Sequence, residues 1–451
     1  MYFYSSAQNN KVGMENYEKN KIKILIAVII MVGLSFVFQN QTYAKVNYRV
    51  TPKKVAKMAK KKHKSFNNKY TRHYLGLNDY LEKMGKKGGG TLTLNKGKYK
   101  ISNAVCIPSN VTIVLKNGVV IEKINKTGIK KFKPSGSMWQ LCPRNKFKKK
   151  NSIGKYNGSK NVKIIGEGNA VIDMKNVDGI GLVVAHCKKV EISGIIFKGM
   201  NGNHYIECNG SQNVEMHDNN FTKAKQSTLT KYYAKEAINI DLADKETHGL
   251  PLDWVKKDKT PCDNIHIYNN VFDGTTRGVG THKYSQDSSG KPVYHKNILI
   301  ENNTFKNIFD NGVFVLTWKD AVIKNNTFYN IGTGNKKSYS SGAHGISGGG
   351  IDGINITGNS FEKIKRNAIY FIQQQNVGAG SQYKKVNVNI TKEQTEAMTD
   401  NSVKNCGNDA NPNYAGYDVL YFRNNSTKSR ENGVGIDLVT KNVYYGIPKN
   451  K

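Results

Sequence analysis

Proline, tryptophan and acid are scarce in this chain of 451 residues, which has 9 Pro, 3 Trp and 33 Asp and Glu against 69 Lys and Arg. So little proline excludes stiff Pro-rich linkers, while 43 Gly call for many tight turns inside ordered structure. The cysteines (Cys106, Cys142, Cys187, Cys208, Cys262 and Cys406) contain no CxxC pair. That spacing excludes a zinc ribbon, a thioredoxin-like centre and a disulfide-dense scaffold. They read as small buried thiols with at most one bridge, and no metal-ligand cluster stands out. Past the N-terminus no apolar run is long enough to span a bilayer, which takes about 20 residues. The shortage of acid leaves a net charge of +36, a field that attracts polyanions.

The N-terminus reads as an export signal. Lys19, Lys21 and Lys23 precede an apolar-to-small run at residues 24–38, and Thr42-Tyr43-Ala44 offers a small-x-small cleavage site. Residues 1–44 are therefore expected to be removed, with an uncleaved anchor as the alternative. They hold four Lys and two Glu, so the remainder keeps +34. The expected place is outside the cell or on its surface. There the candidate polyanions are uronic-acid polysaccharides, sulfated glycans and an anionic cell wall; nucleic acid is not expected as a partner, and the chain is read as a monomer. Residues 45–72 carry Lys53, Lys54, Lys57, Lys60, Lys61, Lys62 and Lys64 with few apolar partners. They read as a solvated basic arm, or as a helix laid on an anionic wall. Asn78 or Asp79 could then cap a short helix at 80–87, ended by Gly88-Gly89-Gly90 and covering the open edge of a stack of strands.

From Thr91 onward short β-runs succeed one another without helical spacing, and a repeat emerges. VEISGIIF at 190–197 is echoed by VEMHDNNF at 214–221, IHIYNNVF at 265–272 and ILIENNTF at 298–305, with further echoes ending at Phe328 and Phe361. The closing Phe residues are 24, 51, 33, 23 and 33 residues apart. A unit of about 23 residues with three short strands fits one turn of a parallel β-helix, and longer intervals fit one turn with an insertion or, for the interval of 51, two turns. Asn219, Asn270, Asn303, Asn326 and Asn359 all stand two residues before a Phe and are expected to form a structural hydrogen-bonded ladder. Apolar anchors lie eight residues before the repeats (Leu182, Ile206, Val313, Ile346), with Ile238 and Val279 in that role in the turns with insertions. The fold expected is all-β: a parallel β-helix over residues 73–451 with a short N-terminal capping helix and insertions at 243–262 and 283–295.

This pattern over roughly residues 70–375 resembles the pectin-lyase-like superfamily of right-handed parallel β-helices. The stretch Gly88-Gly89-Gly90-Thr91-Leu92 through Tyr99, with Ile107-Pro108-Ser109-Asn110-Val111, is similar to the entry turn of its polygalacturonase-type members. The resemblance implies right-handed winding and a substrate groove beside the outward face of one sheet. The sharper signatures do not carry over: Asp-Asp is absent, and Ala343-His344-Gly345 and Lys363-Ile364-Lys365-Arg366 are loose echoes. Function must then be argued from the site.

Alternation along the anchor strands places the first and third residues after each anchor outside. Read turn by turn, this gives Val183 and Ala185, then Glu207 and Asn209, then Asn239 and Asp241, then Gly280 and His282, then Phe314 and Leu316, and later Tyr370. His204, Glu236 and Arg277 precede three of the anchors. Polar groups thus converge on successive turns with aromatics beyond, as in a sugar-binding groove. Glu207 and Asp241 are the candidate carboxylate pair, on backbones about 7–8 Å apart, a spacing expected to give inverting hydrolysis. His282, in the slot next to Asp241, is expected to touch it. The substrate contacts expected are His204, Glu236, Arg277, Lys283, Tyr284 and Tyr370, with Trp254 stacking from the first insertion. The rival readings are a lyase or epimerase on uronates, with Arg277 and Lys283 neutralising the carboxylate, His282 or Tyr284 as base and calcium admitted, and a non-catalytic glycan-binding surface protein. His344 with Arg366 is the place to look if this cluster is silent.

Overall fold

A computed structural model describes residues 45–222, 224, 235–334, 342–409, 416–423 and 430–447. The export signal expected at 1–44 lies outside the described residues. Among them, no helix is long and apolar enough to cross a membrane. The chain winds into a parallel β-helix whose apolar core runs without a break from Val50 to Leu438. Each full turn, here called a rung, adds one strand to each of three faces. The Asn220–Thr222 strand pairs in parallel with Ile196–Lys198 below and Val271–Asp273 above, for example. The stack ends where Val419–Phe422 takes an antiparallel partner, Gly433–Asp437, which in turn pairs with Asn442–Tyr445.

Two internal columns hold successive rungs in register. Phe197, Phe221, Phe272, Phe305, Phe328 and Phe361 are fully buried and stack face to face, with centroids 4.7–4.9 Å apart and ring planes within 11°. Offset stacking of this kind adds to the area each ring buries. Opposite them the chain needs glycine: a Cβ on Gly278, Gly312 or Gly345 would come within 2.5–2.7 Å of the Phe305, Phe328 and Phe361 rings. In the second column, each Asn side-chain oxygen from Asn270 onward accepts from the Asn of the rung before. Asn270 donates its backbone N–H to Asn303 Oδ1 at 2.9 Å and its Nδ2 to the same oxygen at 3.0 Å. The column continues to Asn401, one rung beyond the repeat visible in the sequence. Phe221 pairs directly with Phe272, so their 51-residue interval is a single rung with insertions.

The basic segment is not a solvated arm. Val46–Val50 pairs in parallel with Gly90–Leu94 and is the first strand of its face. Helix α1 (Pro52–Lys62) follows, capped by Thr51, and buries Val55 and Ala59. Helix α2 (Arg72–Lys86) is longer than expected and begins earlier. Asn78 and Asp79 are buried inside it and do not cap it. Asn78 donates to the carbonyls of Tyr74 and Ala104 and accepts from the Cys106 amide, which ties the helix to the next rung. All six cysteines are free thiols; Cys208 and Cys262 approach to 3.9 Å between sulfurs.

Candidate active site on the outward face

The anchor register is Leu182↔Ile206, Ile206↔Ile238, Ile238↔Val279, Val279↔Val313 and Val313↔Ile346. The outward columns therefore run along the solenoid axis, and the polar groups fall on the Ile206, Ile238 and Val279 rungs. Glu207 pairs with Asn239, and Asn209 with Asp241. These groups are buried on the outward face: Glu207, Asp241, Glu236, His204 and Arg277 are all under 8% exposed.

Asn239 links the two candidate acids. Its Nδ2 donates to Glu207 Oε2 at 2.8 Å and to Asp241 Oδ2 at 3.4 Å. Two oxygens on one nitrogen at those distances lie within about 6 Å of each other, closer than backbone spacing alone suggests. Asn209 Nδ2 holds the other Glu207 oxygen at 3.0 Å, and the Leu242 amide holds Asp241 Oδ1 at 2.7 Å. Burial, and then the charge of Glu207, pushes the Asp241 carboxyl well above the usual carboxylate range. For Glu236 burial also acts upward, but His282, Arg277 and His204 outweigh it and hold the group below that range.

His282 does not pair with Asp241 as the shared slot suggested. Its Nδ1 lies 4.0 Å from Glu236 Oε2. The Val279 strand ends at Gly280, where the packing is close: a Cβ there would stand 2.7 Å from the Phe314 carbonyl oxygen and 3.2 Å from Glu236 Cγ. His204 sits on the other side, with Nδ1 at 2.8 Å from the Glu236 carbonyl and Nε2 at 3.8 Å from Glu207 Oε2. Glu236 Oε2 itself is buried and has no hydrogen-bond partner.

Several expected substrate contacts are committed to packing instead. Arg277 donates to Glu236 at 3.1 Å and to Asp310 at 2.5 Å, under the Phe314 ring. Tyr284 is buried, with its hydroxyl on the Lys384 carbonyl at 2.9 Å. Trp254 is 1% exposed and donates Nε1 to Gln140 Oε1 at 2.6 Å, so its ring presents no stacking face. Lys283 reaches the rim, where its ammonium donates to the Val377 carbonyl. Tyr370 is half-buried and stacks on His344 at 4.6 Å, away from the acids. Sequence reasoning missed Asn239 as the link between the acids and Asp310 as the partner of Arg277. Only Asn239 had a visible signal, its place in the Glu207 column.

Burial lowers His344 to about 3 and His282 to about 4, from an ordinary 6.5. A histidine with a depressed pKa takes up its proton more readily in the unfolded chain. Both groups therefore withdraw stability as pH falls from 6.5 towards those values. His344→Phe keeps a ring against Tyr370 and removes one titration. Denaturant unfolding at a series of pH values should show a shallower loss of stability below pH 6.5 than in the parent; an equal slope would mean that His344 is not held neutral.

A family model described as a right-handed beta helix region matches residues 145–328. With the parallel register above, it defines a right-handed parallel β-helix. Among solved structures, the chain is similar to PfbA, a surface adhesin of Streptococcus pneumoniae, at 15% identity and TM-score 0.51, covering 86% of this chain and 96% of that one. A second structure of PfbA aligns at 16% identity and TM-score 0.49, covering 80% and 98%. An iota-carrageenase from A. fortis aligns at 12% identity and TM-score 0.44, covering 81% and 88%. Such likeness speaks to the fold alone. No match was found among the curated proteins.

Proposed function

We propose that this protein is a glycoside hydrolase that acts outside the cell on an acidic polysaccharide. The observation that carries the reading is the proton-holding Asp241 beside Glu207, bridged by one amide on the outward face of the solenoid. In this reading Asp241 protonates the leaving glycosidic oxygen while the Glu207 carboxylate attacks the anomeric carbon. Asp241 then takes a proton from the water that releases the sugar from Glu207. Carboxyl groups about 5–5.5 Å apart go with retention and about 6.5–9.5 Å with inversion. Carboxylate oxygens held on one amide nitrogen, no more than about 6 Å apart, favour retention, where strand spacing alone suggested inversion. Elimination is the weaker reading, because Tyr284 and Arg277 are bound internally.

The test is a panel of uronate, sulfated and neutral polysaccharides, read for new reducing ends, for ultraviolet absorbance and for the anomer first released. Reducing ends without an unsaturated ring, and with retained configuration, are expected. An absorbing product would transfer the chemistry to a lyase. Binding without products would make the protein a glycan-binding surface protein, a reading that the burial of the acids favours second.

The charge of +36 adds a separate expectation. Binding to a polyanionic glycan should weaken steeply as salt rises to 0.15 M, where charges more than about 8 Å apart are screened. Equal binding to neutral glycans would show that the positive field does not select the ligand.

A further inference from the structure

We propose that the first rungs carry a second binding surface, separate from the acids, that holds an anionic glycan by its sulfate or carboxylate groups. The charge of the protein is not spread evenly along the solenoid. Residues 45–163 hold 31 Lys and Arg against three acids, a net +28, while residues 164–451 hold 34 against 28, a net +6. The three acids are already taken. Asp79 is buried beside His63 at 3.1 Å and Lys62 at 3.6 Å, Glu82 pairs with Lys86 at 2.9 Å, and Glu122 pairs with Lys98 at 3.7 Å. From later rungs, among the described residues, only Glu167 and Glu191 form ion pairs with this stretch, at Lys116 and Lys163. The surplus at this end is therefore uncompensated, and such a field draws in polyanions. The inference goes beyond the hydrolase reading and requires no chemistry at Asp241.

The connection between α1 and α2 gives this surface a fixed centre. Asn68 Nδ2 donates to the Thr127 carbonyl at 2.9 Å, and the Phe66 and Phe132 rings meet edge-on at 6.1 Å, so the loop around Thr127 is docked on that connection. Tyr70 lies against Gly128, where a Cβ would come within 2.8 Å of its ring. Lys69 and Lys126 place their ammoniums 5.3 and 4.9 Å from the centroid of the same ring, a cation–π arrangement that holds both in position. Lys130 and Lys131 extend the cluster along the loop and are exposed. Two features select a glycan over a bilayer or a nucleic acid. A helix that lies in a bilayer sinks its apolar face into it, but α1 turns Val55 and Ala59 into the solenoid and leaves lysines outside. Bases stack on open rings, and here two lysines occupy Tyr70. Among the described residues of this stretch, Phe66 alone is a large exposed hydrophobic. Fixed cations without an apolar face suit a hydrated polyanion.

The test compares the two ends of the molecule at equal net charge. One variant combines Lys69→Ser, Lys126→Ser, Lys130→Ser and Lys131→Ser. The other combines Lys365→Ser, Lys385→Ser, Lys392→Ser and Lys404→Ser in the last rungs. All eight side chains are exposed, so neither set threatens the fold. Each protein is titrated with heparin and with polygalacturonate over a series of salt concentrations. The first variant should bind at least about tenfold more weakly than the parent and depend less on salt, because fewer counterions are released. The second should stay within about twofold of the parent, since screening confines each charge to its own end. Equal losses in the two variants would mean that net charge alone binds, and would overturn the site. An undiminished first variant, or a parent that binds neither polymer, would overturn it as well. So would tighter binding of the parent to phosphatidylglycerol vesicles or to single-stranded DNA than to either glycan. Product release is measured alongside, and the hydrolase reading stands or falls on it and on Asp241→Asn, whatever the lysines do.

Discussion

Asp241→Asn should lower turnover at least about a hundredfold, while glycan binding survives. The amide keeps the shape of the carboxyl and can still accept from the Leu242 amide, but it has no proton to give a leaving oxygen. The same raised pKa sets the pH dependence. As an acid, Asp241 works while protonated, so activity should decline as pH rises through its elevated value. Stability is tied to the same proton. Between the ordinary value of 3.8 and the raised one, the folded chain holds a proton that the unfolded chain has released, so Asp241 withdraws stability as pH rises across that window. The Asn variant is therefore expected to melt higher than the parent at neutral pH, and the gap should close as pH approaches 3.8. Near-parental turnover in the variant would remove Asp241 from the chemistry and send the search to His344 and Arg366.

Phe272→Ala should cost about 3–5 kcal/mol, read by denaturant unfolding. Phe272 is fully buried and stacks on Phe221 at 4.8 Å and Phe305 at 4.7 Å, so truncation opens a void between two rings of the column. A solenoid relaxes poorly around such a void, because the Asn column two residues away fixes the spacing of the same rungs. Val439→Ala, at a position 75% exposed, should change stability by no more than about 0.5 kcal/mol. Equal effects at the two positions would mean that the stacked rings do not hold the rungs together.

The Phe and Asn columns could be read in the sequence because one slot has the same environment on every rung, and insertions change only the interval between slots. The anchors and the outward place of Glu207 and Asp241 came from strand alternation, which is local. What lay beyond reach depended on where loops land. Trp254 and Tyr284 sit in insertions whose partners, Gln140 and Lys384, are 114 and 100 residues away in sequence, and nothing in the insertions reveals that distance. The basic segment misled for another reason: only Val55 and Ala59 of α1 are buried, too few to rise above its lysines. His282 was misplaced because slot counting assumes that the strand continues, whereas the Val279 strand ends at Gly280, two residues before it, and His282 lies by Glu236.

The Asn column has a direction. Each member passes its backbone N–H to the oxygen of the next, from the Ile195 amide on Asn219 at one end to Asn401 at the other, where Asn401 Nδ2 closes on the Met398 carbonyl at 2.7 Å. Duplicating or deleting a complete rung adds or removes one donor together with one acceptor and leaves the corner balanced, whereas a partial rung would strand one of them. Height in such a molecule can therefore change by gene duplication only in whole steps. Added segments of other lengths have to emerge away from this corner, as residues 243–262 do.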